Sequence, residues 1–541
     1  MSRREALASA ALVFVVALLV RVWAASIIVF PKPEDTAYYV GVARNLLEGR
    51  GLVTDALWSY QTPPLTVPRA AFEVWLPLPT FLAAIPMAVA GATFQAAQVS
   101  SIVIGSLVPV LAWRLAADVA GERGLPKGRA RTLALGTGLT AAVYLPLVLH
   151  GALPDSTMPF AALVLVACLL MIRIIHEPRG AHGRDPRLLT LGLVIGLAAW
   201  TRNEAIWLGL TWAIVAWLPA GPVPYSPRAR LRMIAVVGAV AILVFTPWAI
   251  RDALEFGTPF PGQALTNALS IKGTDIFAWR DPPTLERYLS VGPARLVGMR
   301  VEGALHNLLN VLLLLGIPAS AIGLVGLPWF GRAQALRPLL IFSVLAFATT
   351  SLLFPISTTW GTFLHAAGAI HVLLIISALL ALDALIVRIG IARGWTRPVA
   401  WLGATLTVAA SILFSAVLLP FFGTGSRDTE RQYSALRDQL AAAGVTPESL
   451  APIISDFPIW VADELQVPTL GLPDEPAEDV LDLARTFKAT TLIVFNDADD
   501  SDSVWPEQID ESGPDGNCFS EVPLVRSDDL GSVRVFRIVC R

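Results

Sequence analysis

Long apolar runs separated by short polar connections make up most of this sequence. A run of about 20 apolar residues is long enough to cross a bilayer as a helix. Unbroken runs also argue against a β-barrel, whose strands alternate apolar and polar residues. We predict eleven spanning helices, at residues 6–29, 94–119, 132–150, 157–175, 188–201, 204–219, 232–249, 303–329, 338–355, 366–387 and 399–421. The expected fold is an α-helical polytopic membrane protein.

Lys and Arg cluster in every second connection, as in the stretch 122–131, so these connections are expected to face the cytoplasm. The N-terminus is then cytoplasmic, and two long loops, 31–73 and 251–302, lie outside. One further apolar stretch, 74–91, does not fit, because a crossing there would move the basic cluster 122–131 to the outside. We therefore expect 74–91 to form a helix along the outer face.

The last part of the chain differs from the rest in charge and in pattern. Residues 423–541 hold 23 acidic and 9 basic residues, whereas the first 422 hold 19 and 31. We expect two domains: a membrane body, 1–422, and a small acidic extracytoplasmic α/β domain, 423–541. The elements predicted for the second are helices at 428–443, 458–466 and 476–487, strands at 453–456, 468–472 and 490–495, and a final hairpin.

Composition agrees with a membrane protein. Of the 541 residues, 55% are hydrophobic and 15% charged, and the mean hydropathy is +0.63. Soluble domains carry about 25% charged residues. The net charge of −2 suggests no nucleic-acid partner. We expect a multi-pass protein of the plasma (inner) membrane. The sequence contains no GxxxxGK[ST], HExxH, GxSxG or CxxC motif, which argues against a nucleotide-driven transporter and a zincin-type protease.

The three cysteines give one further prediction. Cys518 and Cys540 are equidistant from Asp529 in the expected hairpin and would face each other across it. Outside the cytoplasm a disulfide between them is expected, the alternative being two unpaired thiols. Cys168 lies within a span and is expected to be inert packing.

Chemistry is expected where polar residues meet the outer face of the membrane. Glu34 and Asp35 follow the first span directly, and a helix is predicted after them. A carboxylate at this depth can take a proton from an acceptor hydroxyl. The alternative is that both residues cap the helix N-terminus. Arg21, inside the first span, is expected to extend its side chain outward to the membrane surface.

Three more charged residues lie at predicted outer helix ends. Asp155 precedes a span and is a candidate for chemistry or a helix cap. Arg202 interrupts two apolar segments, where an unpaired charge is costly, so it pairs with Glu204 or Asp155 or binds a phosphate. Arg251 follows another span and either serves the site or reaches the lipid headgroups.

Two histidines flank the outer start of the tenth predicted span. His365 and His371 are six residues apart, a spacing that does not place both on one helical face, so a metal-binding pair is not expected.

Four stretches carry a resemblance to a known family. They are Glu34-Asp35-Thr36-Ala37-Tyr38-Tyr39 with Ala43-Arg44-Asn45-Leu46-Leu47-Glu48-Gly49-Arg50-Gly51, then Leu153-Pro154-Asp155, then residues 196–204, and finally residues 246–252 with 256–259. Together they resemble the GT-C superfamily of lipid-carrier-dependent glycosyltransferases. Within it, the chain looks like the branch of protein O-mannosyltransferases and the lipid A aminoarabinose transferase. The neighbourhood of residues 61–68 departs from the family pattern, which leaves acceptor specificity open.

The resemblance implies a reaction at the outer face of the membrane. A polyprenyl-phosphate sugar is the donor, and a hydroxyl of a glycan, lipid or protein acceptor attacks the anomeric carbon with inversion. Asp35 is implied as general base, with Asp155 assisting or orienting the acceptor. The substrate-binding residues it implies are Glu34, Tyr38, Arg202, Glu204, Arg251 and His365, of which Arg202, Arg251 and His365 would stabilise the leaving phosphate.

No cofactor and no metal is expected, because a monophosphate leaving group has little need of one, although relatives with diphosphate donors use a divalent metal. Two other functions stay open. A transporter or flippase of a lipid-linked sugar would need polar groups near the bilayer midplane and internal repeats. An assembly protein that is not an enzyme would not need Asp35.

Overall fold

The computed structural model describes residues 3–177, 185–218, 225–395, 399–496, 516–525 and 527–540. Helices dominate. In chain order they are α1 (Arg3–Ile27), α2 (Glu34–Leu47), α3 (Leu78–Ala90), α4 (Phe94–Glu122), α5 (Lys127–Val143), α6 (Leu145–Leu149), α7 (Thr157–His176), α8 (Arg187–Ala199), α9 (Ala205–Trp217), α10 (Pro227–Phe256), α11 (Ala264–Leu269), α12 (Leu285–Ser290), α13 (Gly292–His306), α14 (Ala319–Phe330), α15 (Arg337–Leu353), α16 (Thr362–Ala366), α17 (Gly368–Ala392), α18 (Trp401–Ala442), α19 (Pro447–Leu450), α20 (Pro458–Leu465) and α21 (Ala477–Phe487).

Seven helices of the described chain are long and apolar enough to cross a membrane. Two bent pairs raise the number to nine: α5 with the segment Leu145–Ala152, bent by 59°, and Gly292–Gly316 with α14, bent by 120°. The polytopic helical architecture is therefore confirmed, but the count of eleven spans is not. The difference is α8 and α9, which have 13 residues each, fewer than the about 20 that a span needs.

The apolar stretch 74–91 forms α3, which is also only 13 residues long. It packs against α2 and α4. A helix of this length is shorter than a span, which is consistent with the expectation that this segment does not cross the membrane.

Arg21 does not extend to the membrane surface as the sequence analysis expected. Its side chain is fully buried in the bundle. The guanidinium donates hydrogen bonds to the carbonyls of Ala17 (3.2 Å), Ala142 (3.2 Å) and Leu147 (3.0 Å). Ala142 and Leu147 lie on either side of the bend between α5 and α6, where backbone carbonyls lose helical partners. Arg21 thus satisfies the bend, and Gly151 leaves room for it, because a Cβ there would lie 2.5 Å from the Arg21 Nε.

The C-terminal part of the chain builds a mixed sheet. The strands are β1 (Val53–Thr54), β2 (Ala56–Leu57), β3 (Arg69–Ala70), β4 (Ile453–Ser455), β5 (Thr469–Gly471), β6 (Thr491–Val494), β7 (Phe519–Glu521) and β8 (Arg534–Ile538). Six of them form one sheet in the order β2-β5-β4-β6-β8-β7, and β1 pairs with β3. β2, β5, β4 and β6 run parallel, whereas β8 is antiparallel to β6 and β7. The α/β elements predicted for the tail are thus present, each close to its expected bounds.

Two features cross the proposed domain boundary at residue 422. Helix α18 runs from Trp401 to Ala442 in one piece, so the helix predicted at 428–443 is the end of a longer one. The edge strand β2 comes from the first outer loop and pairs with β5, Ala56 opposite Thr469. The division into 1–422 and 423–541 stays a proposal.

In the hairpin β7–β8, Cys518 and Cys540 are joined by a disulfide, and Cys168 is a buried free thiol.

Candidate functional site

A large cavity lies where the helical bundle meets the sheet. Its volume is about 1410 Å³. Its walls come from the first loop, from α8, α9 and α10, from the second outer loop, from the segment between α15 and α17, and from α20. The lining residues of α8 to α10 are mostly apolar, whereas most charged lining residues come from the first loop and from the connection between α8 and α9. The cavity therefore offers both apolar and charged walls.

Asp35 lines this cavity and lies in the first turn of α2. The preceding Pro33 occupies the N-cap position and offers no side-chain cap. The carboxylate is 8% exposed. Its Oδ2 lies 3.1 Å from Nε2 of His365. Its Oδ1 is buried and has no hydrogen-bond partner among the described residues. One oxygen is thus held by the protein, while the other is buried without a partner, in a residue that lines the cavity.

Behind Asp35, four side chains form a buried polar network. His365 Nδ1 lies 2.7 Å from the Thr157 Oγ1 and 3.7 Å from the Asp155 Oδ2. The same Asp155 oxygen lies 2.7 Å from Nδ1 of His150. The other Asp155 oxygen accepts a hydrogen bond from the Thr157 backbone N–H at 2.8 Å. Asp155 is therefore an N-terminal cap of α7 and also part of the site.

Charge in this network shifts the ionisation of its members. Burial disfavours ionised Asp155, but the neighbouring His150 and His365 outweigh it, so the pKa of Asp155 lies below its ordinary value. Burial also disfavours protonated His365, but Asp35 and Asp155 outweigh it and raise the pKa of His365. Both shifts favour a negative Asp155 and a positive His365 beside Asp35.

The structure separates the two histidines that the sequence analysis considered together. His371 lies on α17, where its Nδ1 is 3.1 Å from the hydroxyl of Tyr144. His150, which we did not predict as a site residue, joins His365 instead. It is the last residue of a predicted span, and its fifth neighbour along the chain is Asp155. In the sequence, only this short spacing from Asp155 indicated His150 as a site residue.

Arg202 and Glu204 lie between α8 and α9 and both line the cavity. Of the partners that the sequence left open, Arg202 takes Glu204, with 2.8 Å between Nη2 and Oε1. It also donates to the Ser156 hydroxyl (2.8 Å) and to the Thr362 carbonyl (3.1 Å). The guanidinium is thereby fixed beside the cavity, next to the residue that precedes α7 and near α16.

Arg251 and Tyr38 are held by contacts with other parts of the protein. The Arg251 guanidinium donates to the Ala71 carbonyl (2.7 Å), pairs with Asp252 (3.0 Å) and lies over the Trp248 ring at 4.9 Å. Tyr38 is buried, and its hydroxyl accepts a hydrogen bond from a backbone N–H of the first loop. Neither is among the described residues that line the cavity. Both hold the first loop in place, and Tyr39 lines the cavity instead.

Glu34 lines the cavity but is held by the C-terminal part of the chain. Its Oε1 accepts a hydrogen bond from the backbone N–H of Ile459 at 3.0 Å, at the start of α20. Burial raises the pKa of Glu34 to about 8, although the N–H groups of Ile459 and Trp460 lower it. Glu34 therefore interacts with the N-terminus of another helix.

Glu73 is a candidate site residue that the sequence analysis missed. It lines the cavity, its side chain is fully buried, and neither carboxylate oxygen has a hydrogen-bond partner within the described chain. Its nearest cation is Arg69, with 3.8 Å between Nη1 and Oε1. Burial raises the pKa of Glu73. The preceding Phe72 has a φ of 75°, which is uncommon for a bulky residue and is a local strain at the site. The signal in the sequence is a single carboxylate directly before the uncharged stretch 74–91.

The donor set of the network also suits a divalent ion. One ligand atom each from His150, Asp155 and His365 lies within 4.8 Å of the others. Two imidazoles and a carboxylate are ligands that zinc takes in proteins. Each of the three side chains, however, already has a hydrogen-bond partner in the network. The cluster therefore fits an ion by ligand type, without an unsatisfied ligand that requires one.

The fold and the site together define a polytopic membrane protein with the GT-C fold. The structure is similar to ArnT from Cupriavidus metallidurans bound to undecaprenyl phosphate, with a TM-score of 0.58, 13% identity and 98% of each chain covered. It is also similar to the oligosaccharyltransferase AglB from Archaeoglobus fulgidus in complex with an inhibitory peptide and a dolichol-phosphate, with a TM-score of 0.52, 12% identity, and 90% of this chain and 69% of that chain covered.

A second structure of the Archaeoglobus fulgidus enzyme, in complex with zinc and sulfate, gives a TM-score of 0.54 at 13% identity, with 89% of this chain and 67% of that chain covered. No protein-family model and no curated protein matches the sequence. The resemblance to the GT-C superfamily is confirmed at the level of the fold.

Proposed function

We propose that this protein is a membrane glycosyltransferase that moves a sugar from a polyprenyl-phosphate donor to an acceptor hydroxyl at the extracytoplasmic face of the plasma membrane. The observation that carries the proposal is the Asp35 carboxylate: the residue lines the cavity, one oxygen is paired with His365, and the other is buried without a partner among the described residues. A general base needs such an oxygen within hydrogen-bond reach of the proton that it removes.

The apolar walls of the cavity support a lipid-linked donor. Ile206 on α9 and Ile242 on α10 line the cavity and are also 66% and 70% exposed. Exposed apolar side chains on these helices suit contact with a lipid chain, and we infer an opening toward the bilayer between α9 and α10. A polyprenyl chain can extend through this opening while its phosphate stays beside the charged walls.

In the proposed step, residues of this chain interact with the acceptor hydroxyl proton and with the leaving phosphate. Asp35 accepts the proton of the acceptor hydroxyl, the hydroxyl oxygen forms a bond to the anomeric carbon, and the bond from that carbon to the phosphate oxygen breaks. Polyprenyl phosphate leaves with the bonding electrons. Arg202 faces the cavity and would stabilise the phosphate charge that develops. Arg251 has no such role in this proposal, because it is not among the described residues that line the cavity, whereas Arg202 is.

His365 and Asp155 would orient the base. His365 Nε2 holds one Asp35 oxygen, and Asp155 lies behind His365 rather than on the cavity wall. Asp155 thus acts through His365, instead of contacting the acceptor. Glu73 also lines the cavity, its carboxylate oxygens are buried without a hydrogen-bond partner among the described residues, and we assign to it a hydrogen bond to a substrate hydroxyl. If a divalent ion binds, His150, Asp155 and His365 would hold it, and it would supply positive charge beside Asp35.

Purified protein in lipid nanodiscs, given a series of polyprenyl-phosphate hexoses and pentoses and a mixed set of acceptors, tests the proposal. Wild-type protein should release polyprenyl phosphate and label one class of acceptor. Movement of the intact donor across a bilayer, without release of polyprenyl phosphate, would favour the flippase instead.

A further inference from the structure

Helix α20, in the C-terminal part of the chain, contacts the segment that carries Asp35. At the start of α20, the indole Nε1–H of Trp460 donates to the carbonyl of Pro31 at 2.9 Å. The backbone N–H of Ile459 donates to the Glu34 carboxylate at 3.0 Å. The contact at Pro31 lies before Pro33, the N-cap of α2. The contact at Glu34 lies after Pro33 and directly before Asp35.

A second pair of contacts holds the rest of the first loop. Asp463, near the end of α20, accepts a hydrogen bond from the Arg44 guanidinium at 2.6 Å, and both side chains are less than one-fifth exposed. Beyond α2, strand β2 pairs with β5, and the backbone N–H of Thr469 donates to the carbonyl of Asp55 at 2.8 Å. Helix α20 also supplies Ile459 and Trp460 to the cavity wall.

These anchors matter because α2 has no side-chain cap of its own at its N-terminus. The direction of the Asp35 carboxylate therefore depends on what holds the first turn of α2. Catalytic groups need to be held within about 0.5 Å of the productive geometry, and a 1 Å displacement costs about 10²-fold in rate.

We infer that α20 positions the catalytic base: Glu34 and the Arg44–Asp463 ion pair are positioning residues that fix Asp35, so the C-terminal domain is part of the active site. The inference rests on the proposed function. It gives the C-terminal domain a role that composition and sequence pattern did not.

The chain offers a matched control on the same helix. Glu464 is adjacent to Asp463 and also forms an ion pair, 2.6 Å from Arg437. Arg437 lies on α18, not on the first loop. Removing either carboxylate takes one ion pair from α20. Of these two carboxylates, only that of Asp463 pairs with a residue of α2. Arg437 is half-exposed and Arg44 is not, so stability alone predicts a loss of kcat that follows the loss of Tm in each variant. A positioning role predicts a loss of kcat in Asp463→Ala beyond its loss of Tm.

The experiment compares Asp463→Ala and Glu464→Ala with wild type, as full-length protein in nanodiscs with polyprenyl-phosphate donors. We expect Asp463→Ala to lower kcat at least about tenfold with KM for the donor within about threefold. Glu464→Ala should stay within about twofold of wild type. Arg44→Lys, which keeps the charge, should retain more kcat than Arg44→Met. Hydrogen exchange of residues 34–47 should be faster in Asp463→Ala only.

Equal kcat and equal exchange in the two alanine variants would overturn the inference, whether both are lowered or both unchanged. A loss of kcat in Asp463→Ala that only follows its loss of Tm would overturn it as well. Failure of wild-type protein to transfer any sugar would instead count against the proposed function. In that case the exchange measurement still decides whether α20 holds the first loop.

Discussion

Nε2 of His365 lies 3.1 Å from Oδ2 of Asp35, although the two residues are separated by most of the membrane body. The pair joins the first outer loop to the helix α16, at the wall of the cavity. It leaves the second Asp35 oxygen buried without a partner among the described residues. The proposed role of Asp35 as general base depends on this pair.

Replacing His365 by Ala should lower sugar transfer without abolishing donor binding. The imidazole holds one oxygen of Asp35, and loss of a hydrogen bond to a charged group costs about 1.5–3 kcal/mol, or about 10- to 100-fold in rate. Initial rates with saturating donor measure the effect. His306→Ala is the control, because His306 lies on α13 and bonds to Asn310. Equal rates for His365→Ala and wild type would contradict the positioning of Asp35 by His365.

Replacing Glu73 by Gln should separate function from stability. Burial raises the pKa of Glu73, so a neutral side chain of the same size suits the site, and the apparent Tm should stay within about 3 °C of wild type. Transfer should nevertheless fall at least about tenfold, because Gln replaces one acceptor oxygen of the carboxylate by an NH₂ donor. Glu73→Ala, in contrast, also removes the buried volume of the side chain and should lower the apparent Tm more than Glu73→Gln does. Unchanged transfer by Glu73→Gln would remove Glu73 from the site.

Stability should fall as the pH rises toward alkaline values, in part because of Glu34. Burial raises the pKa of Glu34 to about 8, so the folded protein binds a proton there that the unfolded chain releases above its ordinary pKa. The stabilisation is present at low pH and is lost as the pH rises through the folded pKa, at no more than about 1.4 kcal/mol per pH unit. Apparent Tm values between about pH 6 and pH 9 should decline more steeply for wild type than for Glu34→Gln. Parallel curves would contradict the assignment.

We expect transfer to proceed without a bound metal. The three candidate ligands His150, Asp155 and His365 already have hydrogen-bond partners in the network. A chelator should leave the rate unchanged, and the purified protein should hold substoichiometric zinc. One equivalent of zinc, absent from His150→Ala and needed to restore transfer after chelation, would show instead that the cluster is a metal site.

The sequence pattern predicts those structural features that depend on residues close together along the chain. Hydropathy is a local property, so the long apolar helices and most tail elements lie near their expected bounds. The predicted count differs from the seven to nine candidate spans of the described chain at α8 and α9, where charged residues separate two helices of 13 residues each. The edge strand β2 has two residues and shows no pattern, so its pairing with β5 was not predictable.

The site residues also divide into those that the sequence indicates and those that only tertiary packing brings together. Asp35 is a candidate from the sequence alone, because a carboxylate directly after a span lies close to the membrane surface, and the structure places it on the cavity. The partners of Asp35 were not predictable, because His365 and His150 approach it only through tertiary packing. Arg251 shows the converse: its position at a helix end resembles that of Arg202, but Asp252 and the first loop engage it. A single sequence records which charges lie near the membrane surface, and packing decides which of them meet.

The most direct test of the central claim is the rate of sugar transfer by Asp35→Asn. Asn keeps the size of the side chain and removes the basic oxygen, and general-base catalysis contributes about 10²- to 10⁴-fold. With the donor and acceptor that wild-type protein accepts, we expect Asp35→Asn to transfer at least about 100-fold more slowly while it still binds the donor. Transfer by Asp35→Asn at the wild-type rate would contradict the assignment of Asp35 as the general base.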